Sequence, residues 1–329
     1  MKKALTYFIL ICSYTISAQD FHISQYDVLT LYNNPGLTGV YHDEQKVDYK
    51  FYLTHRSQWK SLGIKPFKTY SLAYDMKYKR FGIGALLLNN RSGAGNFNTL
   101  NFLLSGSYFI IKDPESPHTI NAGIQMGLIN KSFDSQKYLY ESQYNSSTGM
   151  LDENIASGEM YAKTSILKFD ANLGIFYSYN DKEKKYHPFV GFSIYHLTKP
   201  NESFTSTQSK MPMRFNFNAG CEFIVSEKIK LTPSILYMNQ AKASEFNIGT
   251  KGTYRIKEKN DVIYGLNYRW KDALIVHAGF RKDNLLFRMS YDINMSYLST
   301  YTGYRGGFEL SLVVSGKKGE NPFKNVASF

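Results

Sequence analysis

The sequence predicts an all-β protein: a closed antiparallel transmembrane β-barrel of about 14 strands, of the outer-membrane type. Three observations predict it. Stretches of strict apolar/polar alternation recur along nearly the whole chain. The connections between them are short at one end and long at the other. Aromatic residues are abundant, with 27 Tyr and 23 Phe in 329 residues, and many fall near the ends of the alternating stretches.

The stretch MRFNFNAGCEFIV, 213–225, shows the alternation most clearly. Met213, Phe215, Phe217, Ala219, Cys221, Phe223 and Val225 share one parity; Arg214, Asn216, Asn218, Gly220 and Glu222 share the other. In a strand the two sets face opposite sides, so one side meets an apolar medium and the other a wet one. Phe215, Phe217, Phe223 and Cys221 are expected toward hydrocarbon. Arg214, Asn216, Asn218 and Glu222 are expected toward the lumen, with Gly220 leaving space beside them.

Comparable segments of about ten residues lie near 46–54, 67–77, 80–89, 97–111, 118–131, 165–179, 187–197, 213–225, 229–239, 244–256, 261–270, 273–281, 284–294 and 304–315. With the N-terminus on the inner side, the even-numbered connections are short: 78–79, 112–117, 180–186, 226–228, 257–260 and 282–283. The odd-numbered ones include the long loops at 132–164 and 198–212. Short inner turns and longer outer loops characterise outer-membrane barrels, and an even strand count returns both ends of the sheet to one side.

The faces agree from strand to strand. Leu100, Phe102, Leu104 and Tyr108, Leu167 through Tyr177, Leu285 through Ile293, and Phe308 through Val314 form the apolar parity. The opposite parity carries Asp170, Asn172, Arg214, Glu222, Glu245, Asn247, Lys251, Asn267, Arg269, Arg288, Asp292 and Glu309. Asp170, Arg214, Glu222, Glu245, Lys251, Arg269, Arg288, Asp292 and Glu309 are therefore candidate lumen residues of mixed charge. A soluble β-sandwich shares the alternation, but gives no reason for Tyr177, Tyr179, Tyr264, Tyr268, Trp270 and Tyr291 to sit on the apolar parity. Sheet in lipid must close on itself, because no water satisfies its edges.

The chain divides into a signal peptide at 1–19, an N-terminal periplasmic or plug segment at 20–45, the barrel at 46–315 and a polar tail at 316–329. MKKALTYFILICSYTISAQ has two lysines, an apolar run and small residues before the expected cleavage at Ala18 or Gln19. Ile11 before Cys12 does not fit a lipid-attachment site. Removal of the signal leaves Cys221 as the one thiol, so no internal disulfide forms. The net charge of +12 resides largely in turn-like segments such as MKYKR (76–80) and RKDN (281–284), which read as solvated turns. Nucleic acid is not expected as a partner of an exported chain.

No enzyme, cofactor or metal centre is expected. The seven histidines lack paired spacing, there is no G-x-S-x-G elbow, and FGIGALL (81–87) lacks the third glycine of a dinucleotide loop. Lumen carboxylates pair more readily with lumen Arg and Lys than they serve as acid and base.

The chain also resembles a known family along almost its whole mature length. QDFHISQYDVLTLYNNPGLTGV (19–40), HRSQW (55–59), PFKTYSLAYDM (66–76), FGIGALLLNNRSGAGN (81–96), PFVGFSIYHLTKP (188–200), YRWKDALIVHAGF (268–280), SYDINMSYLS (290–299) and GFELSLVV (307–314) together resemble the PorP/SprF family of type IX secretion and gliding-motility outer-membrane proteins. Gly36 stands where Ala is common in that family, and a polar tail follows the last strand. The resemblance singles out Ser24, Gln25, Tyr26, Asn34, Pro35, Arg56, Gln58, Trp59 and Asp272 as motif residues. It implies an outer-membrane protein of a diderm bacterium that supports secretion and surface attachment of a cognate protein, a large adhesin or gliding protein with a type IX C-terminal domain. Periplasmic type IX components and outer-membrane lipid are the further partners implied. The alternative from a different class is a diffusion pore or small-molecule transporter using the mixed-charge lumen.

Overall fold

The computed structural model describes residues 19–41, 47–62, 65–93, 95–111, 116–138, 140–159 and 161–319. Residues 1–18 of the expected signal peptide, and the tail beyond residue 319, lie outside them. Fourteen strands form one closed antiparallel barrel: β1 (Tyr49–Gln58), β2 (Phe67–Tyr78), β3 (Phe81–Ser92), β4 (Phe97–Ile111), β5 (His118–Ser132), β6 (Ser165–Tyr179), β7 (Tyr186–Tyr195), β8 (Arg214–Ile224), β9 (Ile229–Gln240), β10 (Ala243–Lys257), β11 (Asn260–Arg269), β12 (Ala273–Lys282), β13 (Leu285–Asn294) and β14 (Arg305–Gly316). Each strand pairs with its sequence neighbours, and β14 closes on β1 in unbroken register from Tyr49 opposite Gly316 to Gln58 opposite Gly307. The predicted barrel and its strand number hold, with ends displaced by a few residues. The end carrying the loops 133–164 and 196–213 is here the outer end, and the end with the tight turns the inner end.

Parity decides which face each side chain takes. Phe102, Leu104, Leu167, Phe169, Ile175, Phe217 and Phe223 are exposed on the outside, as a lipid-facing belt requires, and Tyr264, Trp270 and Tyr291 join them. Arg214 and Asn216, on the other parity of β8, are buried inside. Gly220 leaves no free space: a Cβ there would lie 2.6 Å from the Phe189 ring and 2.7 Å from the Pro233 carbonyl oxygen. The neighbouring ring on β7 occupies the volume that the missing side chain vacates.

The lumen is not uniformly polar. Leu86 and Leu88 of β3, Leu103 of β4, Ala73 of β2, Tyr52 of β1 and Val313 of β14 point inward and pack against Ile23, Val28, Leu29, Leu31 and Tyr32 of the N-terminal segment. This apolar core inside the barrel was not expected from the charged parity elsewhere. Full burial of each aliphatic side chain favours the seated segment by about 1.5–3 kcal/mol.

Residues 20–41 thread the lumen from end to end. Asp20 meets the outer ends of β7, β8 and β9 through His196, Arg214 and Gln240. Tyr41 donates its hydroxyl to the Asp75 carbonyl near the inner end of β2. Between them lie a helical turn, α1 (Thr30–Asn33), and a 3-10 turn at Pro35–Leu37. Asn34 caps the second turn: its Oδ1 accepts from the Gly36 amide at 2.8 Å, with Pro35 at the first helical position, where a missing N–H costs nothing. Gly39 has φ +71°, the left-handed region, and its amide donates to Asp75 Oδ2 at 2.7 Å. These contacts give the NPGLTG stretch a local physical reason.

Candidate functional site

Of the motif residues, Ser24, Gln25 and Arg56, with Asp272 at the edge, gather in one buried cluster beside the β1–β14 seam, joined there by Arg269, Asp292 and Glu309. The Ser24 and Gln25 amides donate to the two carboxylate oxygens of Glu309 on β14, at 2.9 and 3.1 Å. Ser24 Oγ donates to Asp292 on β13 at 2.6 Å. Arg56 on β1 reaches all three: Nη1 donates to Ser24 Oγ at 2.6 Å and to Glu309 at 3.2 Å, and Nη2 donates to Asp292 at 2.8 Å. Arg269 on β11 adds a second guanidinium, Nη2 to Asp292 at 2.7 Å, and its Nε is ion-paired with Asp272. Arg56, Arg269, Asp292 and Glu309 are all at most 2% exposed. Charges so buried persist only when paired and hydrogen-bonded, as these are.

A second group lies deeper. Gln25 Nε2 donates to the Glu309 carbonyl at 3.2 Å, while its Oε1 accepts from Arg288 Nε at 3.0 Å. The same guanidinium grips Asp27, which Lys251 also contacts at 3.1 Å. Tyr26 shares a hydrogen bond with Ser234 on β9. Asn34 donates to the Ile175 carbonyl on β6 at 3.0 Å, beside Pro35.

The outer latch completes the set. His196, just beyond β7, bonds Asp170 through Nδ1 and Asp20 through Nε2, both at 2.8 Å. Both partners are carboxylate oxygens, so both ring nitrogens donate and the imidazole is cationic. Burial by itself would lower its pKa, but the Asp20 and Asp170 carboxylates outweigh it and raise it to about 9. Burial likewise opposes the charge on Asp20, and His196 and Arg214 hold its carboxyl well below the usual range. The Arg214 guanidinium lies between the Tyr32 and Tyr195 rings, 4.5 and 4.2 Å from their centroids, and Nη1 donates to Asp20 at 2.9 Å.

The remaining candidates lie apart from these groups or at their edge. Gln58 at the outer end of β1 touches His22, which also meets Glu245 at 3.3 Å. Trp59 packs on Phe67 at the rim. Glu222 pairs with Lys230 toward the inner end of β8 and β9. Asp20, Asp27, Asp75 and His196 escaped sequence reasoning. The parity of β2 placed Asp75 inward, and that signal was available; nothing local marks His196, whose partner Asp20 is remote in the chain.

Two spaces flank the segment. An inner cavity of about 190 Å³ is lined by Tyr26, Asp27, His187, Asn218, Glu222 and Lys251, among others. An outer vestibule of about 600 Å³ has Asp20 and Arg214 at its floor and Trp59, Phe97, Tyr161 and Phe204 in its walls. The two long outer loops meet beside it: Phe204 packs edge-on against Phe133 with centroids 4.7 Å apart, and Lys131 pairs with Glu202. Among the described residues no group of side chains has the arrangement of a metal site.

One of the solved structures compared supports the architecture. The toluene transporter TbuX of Ralstonia pickettii is similar at a TM-score of 0.51 with 10% identity, over 88% of this chain and 92% of that one. The P. putida toluene transporter TodX aligns at 0.44 and 11% identity, covering 86% and 91%, and the KdgM porin at 0.40 and 6%, covering 81% and 98%. At these identities the likeness concerns the fold alone. No curated protein matches the sequence. The model of the type IX secretion system membrane protein PorP/SprF matches residues 15–314. With its closed barrel of outer-membrane type and that match along nearly its full length, the chain belongs to the PorP/SprF family of type IX secretion system membrane proteins.

Proposed function

We propose that this barrel acts in type IX secretion by supporting export and surface retention of a cognate secreted protein, which it holds through its outer loops and does not conduct through its lumen. The observation that carries this reading is the N-terminal segment, which crosses the lumen from Tyr41 to Asp20 and is bonded to the wall at both ends. A path for a polypeptide would require that segment to leave. The outer loops offer a gripping surface: loop 133–164 is anchored by Phe133, Tyr161 and Phe204, while Tyr144, Met150 and Leu151 at its far hairpin remain exposed. Family membership supports, as the partner class, a large adhesin or gliding protein with a type IX C-terminal domain, together with cooperation with periplasmic components. The signal peptide at 1–19 belongs to the same proposal.

Deletion of residues 135–160 spares Phe133 and Tyr161 and tests the reading. Surface labelling of whole cells is expected to show the barrel in place and the cognate protein lost; undiminished display of that protein would refute retention by this loop. The diffusion-pore alternative is tested in planar bilayers. The purified barrel is expected to remain closed, and steady ion-selective conductance without a partner would favour the pore.

A further inference from the structure

Three features of the lumen bear on the order in which this barrel assembles. First, the N-terminal segment is keyed into the wall. A Cβ on Gly82 would overlap the Thr38 carbonyl, one on Gly123 the Pro35 carbonyl, and one on Gly174 the Asn34 side chain. These glycines lie on β3, β5 and β6, so residues 34–38 sit directly on bare backbone. Second, the segment is pinned laterally: Arg214 of β8 lies over the Tyr32 ring, 4.5 Å from its centroid, and its guanidinium donates to the Tyr32 hydroxyl at 2.8 Å and to the Tyr32 carbonyl at 3.0 Å. A chain so interlocked does not slide lengthwise through a finished barrel. Third, the bonds of Ser24 and Gln25 concentrate on the seam. Glu309 of β14 accepts two successive backbone amides from them, and Arg56 of β1 ties Ser24, Glu309 and Asp292 together from the opposite side of the seam.

We infer that the N-terminal segment is the internal template on which this barrel closes: β1 and β14 join after Ser24 and Gln25 are seated, and the wall assembles round the segment. The physical basis is electrostatic as well as steric. Before closure Arg56, Asp292 and Glu309 are solvated on separate strands. Joining β1 to β14 without the segment would bring the Asp292 and Glu309 carboxylates to the seam with no amide from Ser24 or Gln25 and no Ser24 hydroxyl to bridge them. The seated segment supplies those donors in advance, so closure is more favourable when it is present. The segment also precedes β1 in the chain and therefore emerges first.

The test uses the full-length mature chain refolding into detergent or lipid. In a Cys221→Ser background, Leu53→Cys with Leu312→Cys reports closure of the seam, since these residues are opposed on β1 and β14. Leu104→Cys with Met126→Cys, opposed on β4 and β5, reports pairing far from it. A short bis-maleimide applied at timed intervals reads each pair as a cross-linked species. With Ser24→Pro and Gln25→Pro introduced together, which removes both backbone donors to Glu309 along with the two side chains, the seam cross-link is expected to form several-fold more slowly while the β4–β5 cross-link keeps its rate. An unchanged seam rate, or equal slowing of both reporters, would overturn the inference. A mature chain lacking residues 20–41 provides the second measurement: its seam cross-link is expected to fall at least tenfold in yield and to recover when a peptide of residues 20–41 is present during refolding. Closure in normal yield without the peptide would show that the segment enters a barrel already made.

Discussion

The two sides of the lumen treat the same N-terminal segment differently. On the side of β1–β6 and β13–β14 the segment lies directly on the wall, with glycines at the closest approaches and an apolar core around Leu29 and Leu31. On the side of β8–β12 it is held near the outer end by Arg214 and Asn216 but stands off toward the inner end, leaving the inner cavity bounded by Asn218, Thr232, Ser234 and Lys251. One side is packed like a protein interior; the other is joined mainly by long polar side chains across a gap. The segment belongs structurally to the seam side, and freedom for solvent or a guest lies opposite.

The largest effect is expected at Arg56. Arg56→Met leaves Asp292 and Glu309 buried with one fewer cation, and removal of one partner from such a network costs about 3–5 kcal/mol. Urea unfolding of the refolded barrel measures it. A loss below about 1 kcal/mol would place the cluster in effective contact with water and erase the contrast between the two sides.

Phe217 asks whether the loose side is loose only within. It faces outward near the middle of β8, whose lumen residues border the cavity. Phe217→Arg should cost about 2–4 kcal/mol if the position lies at the bilayer midplane. Normal folding of that variant would assign the two faces of β8 the wrong way round.

A smaller effect follows from pH at the outer latch. The folded pKa of His196, about 9, lies above the ordinary value of 6.5. Its contribution is therefore fully present below pH 6.5 and is lost as pH rises through about 9, amounting to roughly 3 kcal/mol at most. Arg214 keeps its own bond to Asp20 through that range, so the N-terminus is expected to loosen and not to leave. Protease clipping near Asp20 should increase between pH 8 and about pH 10 in the native chain and be independent of pH in His196→Gln.

The strands were legible because lipid enforces parity: Phe102, Phe169 and Phe217 cannot turn inward without exposing polar neighbours to hydrocarbon. β3 shows where that signal fades. Leu86 and Leu88 are as apolar as Leu87, because a protein core occupies the lumen there, and alternation alone could not report what filled it. The cluster was legible only in pieces. Arg269, Asp292 and Glu309 were marked by parity, Ser24, Gln25 and Arg56 by resemblance to the family, and neither source says that they touch. His196 and Asp20 meet across 176 positions of sequence, a relation that no local pattern encodes.

The finest test compares two small enlargements on the opposing walls. Gly82→Ala adds one methyl where Thr38 already lies against backbone, so strand or segment must shift, at about 1–3 kcal/mol. Ser234→Thr adds one methyl, with the hydroxyl kept, at the edge of the inner cavity, where free volume and water can absorb it, and should stay within about 0.5 kcal/mol. Because each change is about the size of a methyl group, the difference between them reports the local space and little else. Equal costs would mean that the segment relaxes as readily on the seam side as on the other, and the template role inferred from its tight seat would lose its steric basis.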